Sequence, residues 1–448
     1  MNTLFLPELR EMLQENRIDE MREFCETLNP GRTAEFMEGL ADAEIWDVLS
    51  HADPDRRTEV FGHFEFVRQV SMLEHADPTS AASLVESLPA DDRVDLLQEL
   101  EQTKVDQILP LLPVEERRDI RRLQSYAEGT AGALMTTDFA KFGEHLSVTE
   151  TLNELSRQSE ELETIYYLYV VDSEDLLRGI VSTRQLVSSI NRPSRMLGEL
   201  MESDVVAVRV DQDQEAVATL VGRFDLLAIP VVDQSRRLVG IITHDDVIDV
   251  VREEATEDAQ RSAAVEPLED DFLRVGLLTL SWKRGIWLTI LFFAALLTAI
   301  ALRMYEDDLE NFAWLVWFIP LIISSGGNSG SQSATLVITA MTAGEVKFSD
   351  WTQVMLREMM VSLILGGFLA AIGWMVAAAV APTLWASTVI PVTLLSVVVC
   401  GCLFGAACPM GFKRLGWDPA LMSNPFVAGI VDILGIVIYI HVARMILI

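Results

Sequence analysis

The sequence predicts a multi-domain membrane protein with an α-helical superhelix N domain, an α/β tandem pair and a five-helix transmembrane domain. Three observations predict it: short amphipathic segments recur every 24 residues near the N-terminus, one strand–turn–strand phrase occurs twice in the middle, and five long apolar segments follow. At 448 residues the chain also exceeds what one hydrophobic core normally supports.

In residues 1–125, His51-Ala52-Asp53-Pro54 returns as His75-Ala76-Asp77-Pro78, and Leu88-Pro89 returns as Leu112-Pro113. Proline is tolerated in a first helical turn and disfavours helix in the residue before it, so each phrase opens a helix. A fixed short period points to stacked helical hairpins, here a small superhelix of either hand.

Over 126–252 the pattern becomes α/β, in two copies at about 130–190 and 195–252. The first copy offers strands at 165–171 and 177–182 around Asp172; the second offers 227–232 and 238–243 around Asp233. The second ends in Gly240, Thr243 and Asp246, whereas the first has Gly179 and Ser182 with Gln185 where the aspartate belongs. The two copies resemble tandem CBS domains. Val247, Ile248, Val250 and Val251 then run helically into a charged connecting (plug) helix expected over 253–275, ahead of a pore domain at 276–448.

The apolar segments lie near 285–302, 311–342, 354–381, 387–410 and 424–447. Each is long enough for a hydrocarbon core of about 30 Å, which takes about 20 helical residues. The second reads as interrupted by Pro320 and by the small polar run 324–333. Lys283/Arg284, Lys347/Arg357 and Lys413/Arg414 fall on one side, and the acidic 306–310 and uncharged 382–391 loops on the other. By the positive-inside rule the N-terminal half is cytoplasmic and the C-terminus external, in the cell membrane. Met1 is followed too soon by Pro7, Glu8 and Arg10 for a signal peptide.

Of 67 acidic and 34 basic residues, nine and eight lie from Lys283 onward, leaving 58 and 26 before it. The net charge of −33 thus sits almost entirely in the N-terminal half. Such a field repels nucleic acid, which is excluded as a partner, and concentrates cations. Cys25, Cys400, Cys402 and Cys408 form no oxidised framework, and the last three read as apolar packing rather than a soft-metal site.

Asp432 is the chemically decisive residue of the apolar segments. A carboxylate at membrane depth costs roughly 2.5–3.5 kcal/mol on insertion scales and marks an ion or proton path by default. Asn424, Ala428 and Asp432 share one helix face at i, i+4 and i+8. One carboxylate per subunit, doubled by a two-fold axis, suits Mg²⁺, which keeps its water shell and is gripped through it; dehydrated Ca²⁺ or Zn²⁺ would want more ligands at one depth. The run from Gly326 to Thr335 has no Gly-Lys-Ser/Thr phosphate signature, so it reads as a kink with close helix packing.

The motif starting Gly326-Gly-Asn-Ser-Gly-Ser-Gln-Ser, the pair Arg357-Glu358, the motif 412–421, and Asn424-Pro-Phe-Val-Ala-Gly-Ile-Val-Asp432 resemble the MgtE family of magnesium channels. So do the motifs 125–137 and 245–258, and the likeness runs in order through nearly the whole chain. Gly429, Ser331 and Ser362 differ from the residues usual in that family. The resemblance implies a homodimer in membrane lipid, with the pore on its two-fold axis and Asp432, Asn424, Ala428, Ser331 and Thr335 at the pore. It further implies regulatory Mg²⁺ at Asp91 and Asp95 of the N domain and at Asp213, Glu215, Asp225, Asp246 and Asp249 of the CBS pair. Glu254, Glu257 and Asp258 of the connecting helix, with Asp418, complete that set. Bound cations would relieve the self-repulsion of these acidic surfaces and draw the assembly compact, closing the pore.

Two rivals stand beside the Mg²⁺ reading. The transported ion could be Co²⁺, Ni²⁺ or Mn²⁺, or the chain could be a membrane-anchored CBS nucleotide sensor holding ATP through Thr243 and Asp246. An enzyme is not expected, because the spans carry no His-Glu-x-x-His, Ser/Lys or paired-aspartate constellation.

Overall fold

The computed structural model describes residues 5–159, 162–268, 272–273, 275–419 and 423–448. Ala420 and Leu421, which end the 412–421 motif, and parts of the expected 253–275 connector lie outside these. The chain divides into two compact units, Met1–Val251 and Arg252–Ile448.

The first unit begins with ten α-helices among the described residues, α1 (Leu6–Glu15), α2 (Ile18–Thr27), α3 (Pro30–Met37), α4 (Asp42–Ser50), α5 (Pro54–Gly62), α6 (Phe66–His75), α7 (Pro78–Ser87), α8 (Ala90–Glu99), α9 (Gln102–Ile108) and α10 (Val114–Leu123). The repeated phrases do what their prolines dictate. Pro54 and Pro78 start α5 and α7, with Asp77 accepting from the Thr79 and Ser80 amides, and Pro89 and Pro113 cap α8 and α10. Odd helices stack α3 on α5 on α7 on α9, and even ones α4 on α6 on α8 on α10, as expected of a superhelix of hairpins. Phe61, Met72, Leu73, Leu84 and Leu96 are buried between the rows. Arg68, Arg93 and Lys104 reach across to donate to the carbonyls that end earlier helices, such as Leu40, Leu88 and Ala76, satisfying orphaned acceptors.

Two three-stranded sheets follow. In the first, β1 (Phe139–Gly143) pairs parallel with β2 (Thr164–Val171), which pairs antiparallel with β3 (Leu177–Ser182); α11 (Val148–Gln158) connects β1 to β2 and α12 (Thr183–Ser188) follows β3. After α13 (Leu197–Leu200), the second repeats the plan with β4 (Val208–Arg209), α14 (Gln214–Phe224), β5 (Ala228–Val232), β6 (Leu238–Thr243) and α15 (His244–Ser262). The duplicated phrases match residue for residue: Val170 pairs with Gly179, and Val231 with Gly240. Gly240 is glycine because a Cβ there would stand 2.7 Å from Met135 Sδ and 2.8 Å from the Thr136 carbonyl oxygen. The departure at Gln185 has a local explanation: its Oε1 accepts from Ser182 N and Oγ at 2.8 and 2.9 Å, so glutamine caps α12 as Asp246 caps α15.

The connecting helix is shorter than expected. α15 stops at Ser262, where Ala264 takes a left-handed φ of 58° and the chain turns towards Pro267.

In the second unit come α16 (Leu277–Met304), α17 (Glu306–Asn311), α18 (Ile319–Thr342), α19 (Trp351–Val380), α20 (Leu384–Ser387), α21 (Val389–Arg414) and α22 (Asn424–Leu447). Among the described residues four helices, α16, the α19 segment, the α21 segment and α22, are long and apolar enough to cross a membrane. α18 falls outside that set because residues 324–335 are mostly Ser, Gly, Asn, Gln and Thr. The expected interruption does not occur: Pro320 sits in the first turn of α18, where its missing N–H costs nothing, and the helix continues unbroken through the glycines. α18 packs on α21 and α22, with α19 against α21 and α16 against α22. Its closest approach is glycine on glycine, since a Cβ on Gly401 would stand 2.6 Å from the Gly326 carbonyl oxygen and one on Gly405 2.1 Å from that of Gly330.

Candidate functional site: an α18–α22 seam and an acidic cluster

The five residues expected at the pore converge on one seam. Ser331 Oγ donates to the Asn424 carbonyl oxygen at 3.0 Å, and Thr335 Oγ1 lies 3.0 Å from Asn424 Oδ1. One turn further along α22 is Ala428, and one further still Asp432, both opposite Gly327. A Cβ on Gly327 would stand 3.1 Å from Asp432 Oδ1 and 3.3 Å from Ala428 Cβ, so glycine makes room for the carboxylate. Among the described residues Asp432 has no hydrogen-bond or ion-pair partner. Asn328 and Thr335 are exposed on α18, a polar flank that water or protein would satisfy and lipid would not. Gly327 was not singled out in the sequence, although its place four residues before Ser331 was the available signal.

The sequence-predicted acids of the first unit separate into two groups. Asp91 on α8 and Asp246 on α15 come together. Asp91 is 8% exposed and its Oδ1 has no hydrogen-bond partner, and burial, with Asp246, Asp92 and Glu163 close by, holds its carboxyl well above the usual range. Asp246, accepting from Thr243 Oγ1 at 2.5 Å, is pushed up to about 6 by burial against that bond and by Asp245 and Asp92. Asp95 and Asp249 face Asp92 in the same neighbourhood. Glu163, at the start of β2, is pushed upward by partial burial and by Asp246, Asp92 and Asp245, while part of it stays exposed. Sequence reading missed Glu163, which lies in a connection with no motif, and passed over Asp92 and Asp245 although each adjoins a chosen acid. The other group is not brought together within the chain. Asp213 caps the start of α14 by accepting from Glu215 N at 3.0 Å, while Asp225 ends that helix at φ 51°; the helix between them puts them roughly 18 Å apart. Among the described residues no three His, Cys, Asp or Glu side chains form a ready metal cage.

In the second unit, Arg261 links two of the expected acids. It pairs with Glu257 and puts Nη1 2.5 Å from Asp418 Oδ2, while Thr342 Oγ1 donates to Asp258 at 3.3 Å. Burial raises Glu257 and Asp258 even so, with Asp418 adding to both. Glu254 is half-buried on the same helix and adds to the repulsion on Glu257 and Asp258. The sequence did carry a signal for Arg261, four residues after Glu257.

Most of the chain is similar to known proteins. Residues 319–442 match the MgtE divalent cation transporter family, 28–129 the MgtE intracellular N domain, and 131–192 and 197–253 the CBS domain. The chain is 39% identical to the magnesium transporter MgtE of Thermus thermophilus over 334 residues, 73% of this chain and 72% of that one. It is 33% identical to the magnesium transporter MgtE of Enterococcus faecalis over 327 residues, covering 73% and 71%. Among solved structures, the soluble part of a magnesium transporter superposes with a TM-score of 0.52 at 33% identity, covering 56% of this chain and 97% of that one. The cytosolic domain of the Mg²⁺ channel MgtE in complex with ATP superposes with a TM-score of 0.51 at 35% identity, covering 54% and 98%. Those relatives are transporters and not enzymes, and this chain, a multi-pass membrane protein in which the N domain, the CBS pair and the transporter region follow in order, belongs to the MgtE family of magnesium transporters.

Proposed function

We propose that the protein is a Mg²⁺-selective channel or transporter of the cell membrane, working as a homodimer and closed by Mg²⁺ held on its acidic cytosolic domains. One observation carries the reading: Asp432 stands without a partner against Gly327, on the α18–α22 seam that also holds Ser331, Thr335 and Asn424. A hydrated divalent ion is recognised by one well-placed carboxylate and polar oxygens around it, without a tight cage. The exposed polar flank of α18 supports a second copy across a water-filled path, and the charge of the loops supports a cytoplasmic N-terminus and an external C-terminus.

Regulation follows from charge. Asp91, Asp95, Asp246 and Asp249, the set Asp213, Glu215 and Asp225, and the group Glu254, Glu257, Asp258 and Asp418 are the acids that Mg²⁺ would bridge. Liposomes with Mg²⁺ set independently on each side test the pore. The wild type should carry Mg²⁺ down its gradient, and Asp432→Asn should lose selectivity; wild-type flux and selectivity in that variant would sink the assignment. Co²⁺, Ni²⁺ and Mn²⁺ belong in the same assay. ATP is a second ligand to test on the CBS pair, because the cytosolic domain of a 35% identical relative was solved with it and Thr243 and Asp246 meet at the end of β6.

A further inference from the structure

Glu358 is a second partly buried carboxylate on the long apolar helices of the second unit, after Asp432. It lies seven residues into α19, roughly 10 Å along the helix, and accepts from Ser333 Oγ of α18 at 2.6 Å. Ser333 is 4% exposed, and among the described residues no cation pairs with Glu358. The hydroxyls of Ser325, Ser329 and Thr335 each bond back to a carbonyl four residues earlier in α18. Ser333 alone in this stretch turns away from its own helix to a carboxylate. The carbonyl it forgoes, that of Ser329, takes the Cys402 thiol of α21 at 3.8 Å instead.

At 100° per residue, Ser333 and Ser329 lie on the side of α18 opposite Gly327, Ser331 and Thr335. One side therefore meets Glu358 and Cys402, and the other meets Asn424, Ala428 and Asp432. The glycines between them set how near α18 comes to α21, but two glycine faces have no side chains to resist rotation or slip. A side-chain hydrogen bond from behind does resist it, being short and directional.

We propose that Glu358 is a positioning residue for the ion path: by holding Ser333 it fixes the rotation of α18 and so sets Ser331, Thr335 and Gly327 against Asn424 and Asp432. This rests on the pore reading given above. The test is Mg²⁺ over Na⁺ selectivity of the full-length protein in liposomes, for Glu358→Ala, Glu358→Gln and Ser333→Ala beside the wild type. Glu358→Ala and Ser333→Ala should each lower selectivity at least about fivefold, and the double variant no further. Glu358→Gln keeps a carbonyl oxygen for Ser333 and should restore wild-type selectivity. Equal loss in Glu358→Gln and Glu358→Ala would overturn the proposal, because the charge itself would then be needed. Wild-type selectivity in Ser333→Ala, the mildest change and the one least able to unfold the protein, would overturn it too. Absence of Mg²⁺ flux in the wild type would instead remove the pore reading, and this inference with it.

Discussion

Arg261 lies 2.5 Å from Asp418, so a guanidinium already joins α15 to the segment before α22 without any metal ion. The sequence assigned that contact to Mg²⁺ among acids. The arginine offsets part of their repulsion, and Mg²⁺ would have to act on the remainder. A partly exposed pair of this kind is worth about 0.5–1 kcal/mol, or roughly two- to fivefold in an equilibrium. Arg261→Gln should therefore raise the internal Mg²⁺ concentration that closes the pore by about that factor in patch recordings; an unchanged closing concentration would remove Arg261 from the gate.

Neutralising Glu254, Glu257, Asp258 and Asp418 together should leave the pore open at millimolar internal Mg²⁺, whereas single changes only shift closure. Moving a gate from mostly open to mostly closed takes roughly 5.5 kcal/mol of differential binding, more than one surface site supplies. Closure of the quadruple variant at the wild-type concentration would show the gate to lie elsewhere.

The pH dependence of the first unit has a definite sign. Asp246 stands at about 6 and Asp91 well above its usual range, so the folded unit keeps protons that the unfolded chain releases near pH 4. Their contribution is fully present below pH 4 and is lost as pH rises through 6. Residues 1–265 in EDTA should melt several degrees lower at pH 8 than at pH 5, at about 2–4 °C per kcal/mol for a unit of this size. Mg²⁺ should restore most of the difference at pH 8 and do little at pH 5. Asp91→Asn should flatten the slope, and a melt independent of both pH and Mg²⁺ would contradict the cluster's role.

Glu163→Gln removes one repelling charge from beside Asp246. The variant should be more stable than wild type at pH 8 without Mg²⁺ and gain less when Mg²⁺ is added, by thermal melting of the same fragment. Equal Mg²⁺ stabilisation in the two proteins would place Glu163 outside the cation-responsive group.

Two glycines of α18 and α21 should fail differently. Gly405→Ala drives a Cβ into the Gly330 backbone, which cannot yield as a side chain can, and should cost about 1–3 kcal/mol and lower the yield of folded protein in detergent. Gly327→Ala meets the Asp432 carboxylate at 3.1 Å, where a few tenths of an ångström of movement suffices. It should fold normally and lose at least about tenfold in Mg²⁺ flux. Normal flux in a folded Gly327→Ala protein would show that the carboxylate does not need that space.

The sequence alone determined whatever depends on neighbours along the chain. Prolines every 24 residues start α5 and α7, apolar runs make the long helices, and Asn424, Ala428 and Asp432 share a face because 3.6 residues make a turn. The two β–α–β–β units were legible for the same reason, down to the glycines that pair with Val170 and Val231. Only the tertiary structure decided which surfaces meet. It kept α18 unbroken where small polar residues read as an interruption, because α21 and α22 take up the closeness that glycine allows. It brought Glu163 to Asp246, Arg261 to Asp418 and Glu358 to Ser333, pairs separated by many residues whose union depends on packing rather than on any local period. It also set Asp213 and Asp225 at opposite ends of α14, since a helix of eleven residues is a rigid spacer whatever charges it carries.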